Sequence, residues 1–282
     1  MRTNNKDLPL DQFIEFALYD KDKGYYMKKN PFGKEGDFIT APNITRLFSE
    51  IIAIWVVTFW KSIGSPKKFN LVELGAGNGE MMKVIAETLK NFPECFLNCN
   101  FQIHEKSEFL KKKQQINLES EKITWIENIE ITNSFPTIFL ANEFFDALPI
   151  KQFFRKKEGW VERFVDLKEE EKAEFKEQST DIKIIEQKLN FEISKDQEII
   201  EYSPGSFEYL NNICNLIKKN DGGILIIDYG YLNFKMRETL QAINNHKFSS
   251  ILEDIGDSDI TYNINFNLYK KFIDQFDDLN SI

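Results

Sequence analysis

The sequence predicts an α/β fold in which a mostly parallel sheet is flanked by helices. Two segments carry this prediction: an apolar run, a glycine-rich turn and a helical stripe at 69–90, and a buried run that ends in polar residues at 136–149. Strands of a parallel sheet are apolar on both faces, and a glycine turn between such a strand and a helix is typical of nucleotide-type binding sites. A ligand is therefore expected at the carboxyl ends of the strands.

The N-terminal part of the chain is predicted to be helical. Pro9 suits a first helical turn, and the apolar residues after it repeat at helical spacing, namely Leu10, Phe13, Ile14, Ala17 and Leu18. A second helix is expected after GDFITAP at 36–42, with apolar positions at Ile44, Leu47, Phe48, Ile51, Ile52 and Trp55. Because residues 51–60 are apolar on nearly every face, this helix is expected to be buried. Asp37 and Thr40 would lie on an ordered loop before it and reach a neighbouring site.

The central motif is FNLVELGAGNG at 69–79, followed by a predicted helix. Leu71, Val72 and Leu74 predict a buried strand, and the glycines allow the backbone to turn sharply and approach a ligand closely. The helix after the turn is predicted from one apolar stripe: Met81, Met82, Val84, Ile85 and Leu89. The amino end of this helix would point at whatever lies over the turn.

The spacing of the motif restricts the ligand. A dinucleotide site favours G-x-G-x-x-G, whereas this chain has E-x-G-x-G-x-G with Glu73 two residues before Gly75. A carboxylate so close to the turn suits a cation better than a pyrophosphate. S-adenosylmethionine, which carries a sulfonium and an ammonium, fits better than a nicotinamide cofactor. A turn without any ligand is the other interpretation.

A second strand is predicted at 100–105 and ends in Glu105. Dinucleotide folds place a ribose-binding carboxylate somewhat closer to the glycines, and Glu105 could accept hydrogen bonds from both ribose hydroxyls. An exposed glutamate at a strand end is the alternative. A short third strand is predicted at 123–126.

The segment PTIFLANEFFDALP at 136–149 forms a second centre of the predicted site. Ile138, Phe139 and Leu140 predict a buried strand. The polar residues Asn142, Glu143 and Asp146 follow it directly, with Phe144 and Phe145 between them. Polar side chains just beyond a parallel strand project into the cleft at the carboxyl edge of the sheet. A functional role is therefore expected for this cluster.

Composition excludes several classes of partner. The chain of 282 residues has a formal net charge of -9 and a pI near 5.0, which disfavours a phosphate backbone. An acidic surface would instead suit a basic protein segment. The three cysteines lack zinc-ligand spacing, and no metal site is predicted. No apolar stretch reaches the length of a membrane span and no signal or transit segment is recognised, so a cytoplasmic protein is expected. It would be a bacterial protein or else a mature chain without its leader.

Five motifs occur in an order that resembles the MidA-like methyltransferases. They are YD…GYY at 19–26, GDFITAP at 36–42, VELGAGNG at 72–79, ANEFFDALP at 141–149 and IDYGY at 227–231. The resemblance spans about residues 8–266, and it departs at Asn43, where the family usually carries an acid. It implies a Rossmann-like class I fold that uses S-adenosyl-L-methionine. The family includes the mitochondrial arginine methyltransferase of complex I assembly, so the implied substrate is an arginine side chain on a respiratory complex I subunit or a similar protein.

Roles for individual residues follow from the motifs and this resemblance. Glu143 and Asp146 are expected to be catalytic, binding a guanidinium and taking its proton. Phe144 and His246 are expected near the substrate. The cofactor-binding residues are expected to be Thr40, Pro42, Glu73, Gly75, Ala76, Gly77, Gly79, Glu105 and Asn142. Two alternatives stay open: an assembly factor that binds the cofactor without catalysis, and a nicotinamide-dependent oxidoreductase.

The domain organisation is predicted in three parts. A helical region at 1–66 would pack over the cofactor cleft, the core would comprise 67–149 and 196–282, and 150–195 would be an insertion. Within the insertion, residues 151–154 and 160–165 predict a β-hairpin, whereas the charged segment 166–188 is expected to be mobile or solvated. Strands are predicted before and after a helix that runs through Ile217. No paired strands are recognised inside 235–282, so C-terminal strands of the fold are expected to be missing. The oligomeric state is not predicted.

Overall fold

A computed structural model describes residues 7–28, 40–129, 134–167, 173–244 and 247–281. The helices are α1 (Leu10–Tyr19), α2 (Tyr25–Lys28), α3 (Ala41–Ile44), α4 (Arg46–Ser62), α5 (Glu80–Leu89), α6 (Pro93–Asn98), α7 (Glu108–Asn117), α8 (Lys183–Leu189), α9 (Pro204–Asn220) and α10 (Phe266–Ile273). The strands are β1 (Leu8–Pro9), β2 (Phe69–Leu74), β3 (Cys99–His104), β4 (Ile123–Ile126), β5 (Thr137–Asn142), β6 (Lys151–Lys156), β7 (Gly159–Leu167), β8 (Ala173–Thr180), β9 (Ile199–Tyr202), β10 (Gly222–Ile227), β11 (Gly230–Tyr231), β12 (Gln241–Asn244), β13 (Lys247–Ser249), β14 (Asp259–Thr261) and β15 (Ile264–Asn265). Among these residues, none of the helices has the length and hydropathy needed to cross a bilayer.

The chain divides into two compact units. The parallel-sheet unit comprises Tyr26–Phe144 and Leu210–Asp228. The antiparallel unit comprises Met1–Tyr25, Phe145–Tyr209 and Tyr229–Ile282. The three-part organisation with boundaries at 66, 149 and 195 stays a prediction from the sequence.

The parallel-sheet unit contains the sheet that the sequence predicted. Its strand order is β10-β5-β2-β3-β4, and every neighbouring pair is parallel. All six residues of β2 are buried, as are the first five of β5. Apolar side chains on both faces of these strands explain why they form the centre of the sheet.

The strand order creates a topological switch point. Along the chain β2 comes first, then β3 and β4 add on one side of it, while β5 and β10 add on the other. Connections therefore leave β2 and β5 in opposite directions. In open parallel sheets, ligands bind at the carboxyl ends of the two strands that flank such a point. The ends of β2 and β5 are the glycine turn and the segment that starts at Asn142.

Helix α4 packs with one face only. Its buried side chains are Ser49, Ile52, Ala53, Val56, Val57 and Trp60, and the last five join the core with β2 and α5. Ile51 is 58% exposed over the described residues, and the side chains of Ile44, Leu47 and Ile54 are also exposed. The prediction that this helix is buried against the sheet or another helix is confirmed by its packing with β2 and α5. Three positions of the predicted apolar stripe, Ile44, Leu47 and Ile51, are nevertheless exposed. A helix packed on one side buries only one stripe, and hydrophobicity alone does not select that stripe.

The antiparallel unit contains the predicted hairpin and a strand that was not predicted. β6 and β7 pair antiparallel around the turn at 157–158, and β9 pairs with the other edge of β6. Within the charged segment 166–188, β8 pairs antiparallel with β7 over eight residue pairs and α8 follows it. The sequence did not predict this strand and helix, although the side chains of β8 are exposed or half-buried, as expected for a solvated segment. Backbone pairing forms the strand, and its sequence has no alternation of apolar and polar residues that would have predicted it.

The C-terminal part also contains paired strands. β12 pairs antiparallel with both β13 and β14, and β11 pairs with β15 in parallel. The prediction that no paired strands lie inside 235–282 was wrong. These strands have only two to four residues each, too short for alternation of apolar and polar residues to be recognised.

The junction that opens β10 gives a test of the sheet packing. Gly222 has φ 132°, and a Cβ at this position would lie 2.0 Å from the Thr137 carbonyl oxygen of β5. Gly159 has φ 130° with nothing within 4 Å of its Cβ position, so it has the same backbone conformation without the contact. Both substitutions to alanine should cost about 1–3 kcal/mol from the backbone conformation. Gly222→Ala should lose at least about 2 kcal/mol more in free energy of unfolding, measured by urea denaturation. Equal losses would contradict the close pairing of β10 with β5.

Candidate cofactor and active site

The glycine turn follows β2 directly and ends where α5 begins. Gly75, Gly77 and Gly79 have φ of 63°, 54° and 83°, a left-handed region that favours glycine. The Gly75 N–H donates to the His104 carbonyl of β3 at 2.9 Å, and the Gly79 N–H donates to the Ala76 carbonyl at 2.7 Å. The turn is thereby fixed to the end of the neighbouring strand, and the amino end of α5 faces the carboxyl edge of the sheet.

Phe144 lies against this turn. A Cβ built on Gly75 would approach the Phe144 ring carbon Cδ2 to 2.8 Å, so a larger residue at 75 would collide with the ring. Phe144 comes two residues after β5, which pairs with β2 in the sheet. The sequence predicted Phe144 to be near a substrate, and the structure brings it to the switch point next to Gly75. Its proposed contact with substrate stays a prediction.

Glu73 is a buried carboxylate at the end of β2. Its side chain accepts a hydrogen bond from the Met82 N–H in the first turn of α5, where a negative charge is favoured. Its atom Oε2 is buried and has no hydrogen-bond partner among the described residues. Burial, followed by the charge of Glu105, raises the pKa of Glu73 to about 8. A cationic or hydrogen-bond-donating ligand would therefore stabilise the ionised form of this carboxyl group.

Glu105 follows β3 and is held on both of its carboxylate oxygens. Oε1 accepts from the Ser107 N–H at 2.9 Å, and Oε2 accepts from Gln114 Nε2 at 2.9 Å. Burial raises its pKa, and these hydrogen bonds oppose the rise. Part of the side chain stays exposed. The carboxylate is thus fixed in orientation while keeping lone pairs for further donors.

The segment after β5 brings two further polar groups to the switch point. Asn142 Oδ1 is buried without a hydrogen-bond partner within the described residues. Glu143 has φ 48°, which is unusual for a residue other than glycine, and its N–H donates to the Ile227 carbonyl at 2.9 Å. Its carboxylate accepts from the Ala41 N–H, and burial raises its pKa.

The segment at Thr40–Ile44 is connected to the glycine turn by side-chain amides. Asn43 Nδ2 donates to Thr40 Oγ1 at 2.9 Å, and Asn78 Nδ2 donates to Asn43 Oδ1 at 2.8 Å. Pro42 is buried in the first turn of α3. Thr40 is thereby linked to the turn, and Pro42 lies in the same segment; their predicted contact with the cofactor stays a prediction. Asn43, which departs from the family pattern, forms the bridge.

For three predicted residues, the structure does not test a place in this cluster. Asp146 belongs to the antiparallel unit, where it is buried and its backbone carbonyl accepts from the Tyr262 N–H at 3.2 Å. Its catalytic role stays a prediction. His246 and Asp37 lie outside the described residues, so their predicted roles also stay predictions.

Sequence reasoning missed the polar residues that support the cluster. Gln114 is fully buried and contacts both Glu105 and the Gly77 carbonyl. Asn78 bridges to Asn43 from within the turn. A signal for Gln114 was present: it lies four residues from each of the apolar residues Leu110 and Leu118, on the buried stripe of α7. A polar side chain at such a position requires a partner.

The cluster fits a cationic ligand that also carries a ribose. Within the described part of the chain, Glu73 and Asn142 each hold a buried acceptor atom without a partner, and such atoms require donors. The carboxyl groups of Glu73, Glu105 and Glu143 all have raised pKa values. At Gly75 the Phe144 ring lies so close to the turn that it leaves no room for a Cβ. A phosphate-containing ligand would place negative charge among these carboxylates. These acceptors therefore match an amino-acid ammonium and a sulfonium better than a pyrophosphate.

Comparison with protein-family models shows the family to which this chain belongs. Residues 51–281 match the model of a family described as S-adenosyl-L-methionine-dependent methyltransferases. The chain belongs to this family. The match confirms the resemblance inferred from the motifs, and it favours S-adenosyl-L-methionine over the nicotinamide alternative.

Curated relatives extend the similarity to the N-terminal part. The chain is 26% identical over 292 residues to protein arginine methyltransferase NDUFAF7, mitochondrial, of Xenopus laevis, covering 94% of this chain and 66% of that protein. It is 27% identical to the Homo sapiens protein of the same name over 297 residues, covering 92% and 64%. The chain thus spans slightly less than two thirds of the length of these relatives.

Solved structures confirm the fold. A Burkholderia thailandensis protein crystallised with S-adenosyl-homocysteine superposes with a TM-score of 0.80 at 20% identity, covering 96% of this chain and 72% of that one. A native structure from the same organism gives a TM-score of 0.77 at 20% identity, with coverage of 96% and 71%. The predicted Rossmann-like α/β fold is therefore confirmed.

The raised pKa of Glu73 predicts a pH dependence of stability. The ordinary glutamate pKa is 4.5 and that of Glu73 is about 8, so between these values the folded protein holds a proton that the unfolded chain has released. Stability should fall as the pH rises through this range, by up to roughly 1.4 kcal/mol per pH unit from this group. Glu73→Gln removes the titration, so its free energy of unfolding relative to the parent should increase from pH 5 to pH 8.

Urea denaturation of both proteins at the two pH values measures this difference. Glu119→Gln, which changes an exposed carboxylate of the same unit, is the control and should follow the parent at both pH values. The raised pKa would be contradicted if the difference in free energy of unfolding between Glu73→Gln and the parent were the same at pH 5 and pH 8.

Proposed function

We propose that this chain transfers a methyl group from S-adenosyl-L-methionine to an arginine side chain of a protein. The observation that carries the proposal is the set of carboxyl groups at the switch point, next to the glycine turn, together with buried acceptors that have no partner among the described residues. The family match supports methyl transfer, and the names of the curated relatives support arginine as the acceptor. A complex I subunit as the substrate and a cytoplasmic location stay predictions from the sequence.

The cofactor would be held by residues of the parallel-sheet unit. Glu73 and Asn142 supply acceptors for the ammonium group, and Glu105 accepts from the ribose hydroxyls. The turn at 75–79 allows close backbone approach, and Thr40 and Pro42 border the same turn through the Asn43 bridge. When bound, the cofactor supplies a methyl group that its sulfonium already activates.

Glu143 is the proposed catalytic residue. A guanidinium is planar and carries five N–H donors, so a carboxylate is its natural partner. Glu143 would bind the guanidinium and orient one nitrogen towards the methyl group. It would take the proton that this nitrogen loses as the N–C bond forms and the methyl–sulfur bond breaks, with S-adenosyl-homocysteine as the leaving group. Because burial raises its pKa, the carboxylate is a stronger base than an exposed glutamate. Asp146 stays a second candidate, predicted from the sequence alone.

Orientation contributes much of the expected rate. Holding the nitrogen in line with the methyl group can be worth roughly 7–11 kcal/mol of the barrier. The backbone of Glu143 is fixed by the bond to Ile227 and its carboxylate by the Ala41 N–H. A carboxylate that is already fixed loses little conformational freedom when the guanidinium binds. More of the binding free energy is then available to hold the nitrogen in line with the methyl group.

Glu143→Gln tests this role. The amide keeps the size of the side chain but cannot take a proton, so methyl transfer should fall by at least about a hundredfold. Affinity for S-adenosyl-homocysteine, measured by calorimetry, should stay within about threefold because the cofactor acceptors are unchanged. Turnover is measured with methyl-labelled cofactor and a lysate lacking the native enzyme, followed by hydrolysis and separation of methylarginine from methyllysine.

Glu119→Gln is the matched control and should retain parental turnover. Label found in methyllysine or in small molecules would overturn arginine as the acceptor while leaving methyl transfer intact. Binding of the cofactor without any transfer would favour the assembly-factor alternative. Loss of cofactor binding in Glu143→Gln would reassign Glu143 to the cofactor.

A further inference from the structure

Gln114 on α7 forms hydrogen bonds to the glycine turn, to Glu105 after β3 and to Trp125 of β4. Its Nε2 donates to the Gly77 carbonyl at 2.9 Å and to Glu105 Oε2 at 2.9 Å. Its Oε1 accepts from the indole Nε1 of Trp125 at 2.9 Å. The side chain is fully buried, and all three hydrogen bonds lie within the parallel-sheet unit. Both the nitrogen and the oxygen of the amide are thus held by hydrogen bonds to neighbouring residues.

The partners determine which way the amide points. An indole N–H can only donate, so the oxygen of Gln114 must face Trp125. Its NH₂ group then faces the Gly77 carbonyl and the Glu105 carboxylate, which can only accept. Reversing the amide would place two acceptors against each other and a donor against a donor. Trp125 therefore fixes the orientation in which Gln114 holds Glu105.

We infer that Gln114 is a positioning residue that sets the selectivity of the site for a ribose diol. It fixes the Glu105 carboxylate relative to the glycine turn and occupies one lone pair of Oε2, which leaves the carboxylate oriented for the hydroxyls of a bound nucleoside. This inference rests on the proposed function, since Glu105 must face the ribose. Gln114 itself acts through Glu105 and makes no proposed contact with the cofactor.

A purely structural role predicts a different outcome. If Gln114 only packed α7 against the sheet, its loss would lower stability and weaken every adenosine ligand equally. A positioning role changes the selectivity between ligands that differ in one hydroxyl. The ratio of two affinities in the same protein separates these cases, because a general loss of folded protein or of packing cancels in that ratio.

The experiment compares Gln114→Met with Gln115→Met. The first keeps the length of a buried side chain without its amide, and the second makes the same change at the exposed neighbouring position of the helix. Calorimetry measures the affinities for S-adenosyl-homocysteine and for its 2′-deoxy and 3′-deoxy forms. The parent and Gln115→Met should prefer the full ribose by about tenfold to a hundredfold, as expected for hydrogen bonds to a charged group. Gln114→Met should prefer it by less than about threefold.

Trp125→Phe is the second variant if Gln114→Met does not fold. It removes the indole donor together with part of the ring, frees the amide to rotate, and should lower the preference for the full ribose to an intermediate value. Parental selectivity in whichever of the two variants folds would overturn the inference. A parent that binds all three ligands equally would overturn it too, while the proposed methyl transfer stands. A parent that binds none of them would overturn the proposed function itself.

Discussion

The left-handed glycine turn is the constraint on which the site depends. With Gly75, Gly77 and Gly79 all at positive φ, the chain passes from a fully buried strand into α5 within five residues. This tight passage keeps the amino end of the helix at the edge of the sheet and leaves room for the ring of Phe144. The carboxylates of Glu73 and Glu105 are then directed to the same edge, because their strands are neighbours in a parallel sheet.

The site holds buried acidic groups and acceptor atoms that a positively charged ligand would stabilise. Burial raises the pKa of the carboxyl groups of Glu73, Glu105 and Glu143, and the side chains of Glu73 and Asn142 each hold an acceptor without a partner in the described part of the chain. Such groups cost folding free energy in isolation. A cation with several N–H donors removes this cost. The same reasoning applies to the proposed cofactor and to the proposed guanidinium substrate.

Local patterns in the sequence were sufficient to predict the sheet and the positions of its functional ends. Apolar runs identified β2 and β5, and spacing identified the turn and the acids that follow the strands. Contacts between distant segments were not predictable, because Gln114 reaches Gly77 across 37 positions and Asn43 reaches Asn78 across 35. Hydrophobicity alone also misplaced the buried face of α4 and missed β8, whose polar residues pair through their backbone.

The positive φ of Glu143 has a consequence for how this protein could be engineered. A glycine at this position would relieve a backbone conformation that costs on the order of 1–3 kcal/mol in other residues. Selection for thermal tolerance alone would therefore tend to replace the carboxylate proposed to take the proton. Under the proposed role, this glutamate exchanges stability for turnover, so stabilising substitutions in this protein should be sought at other positions.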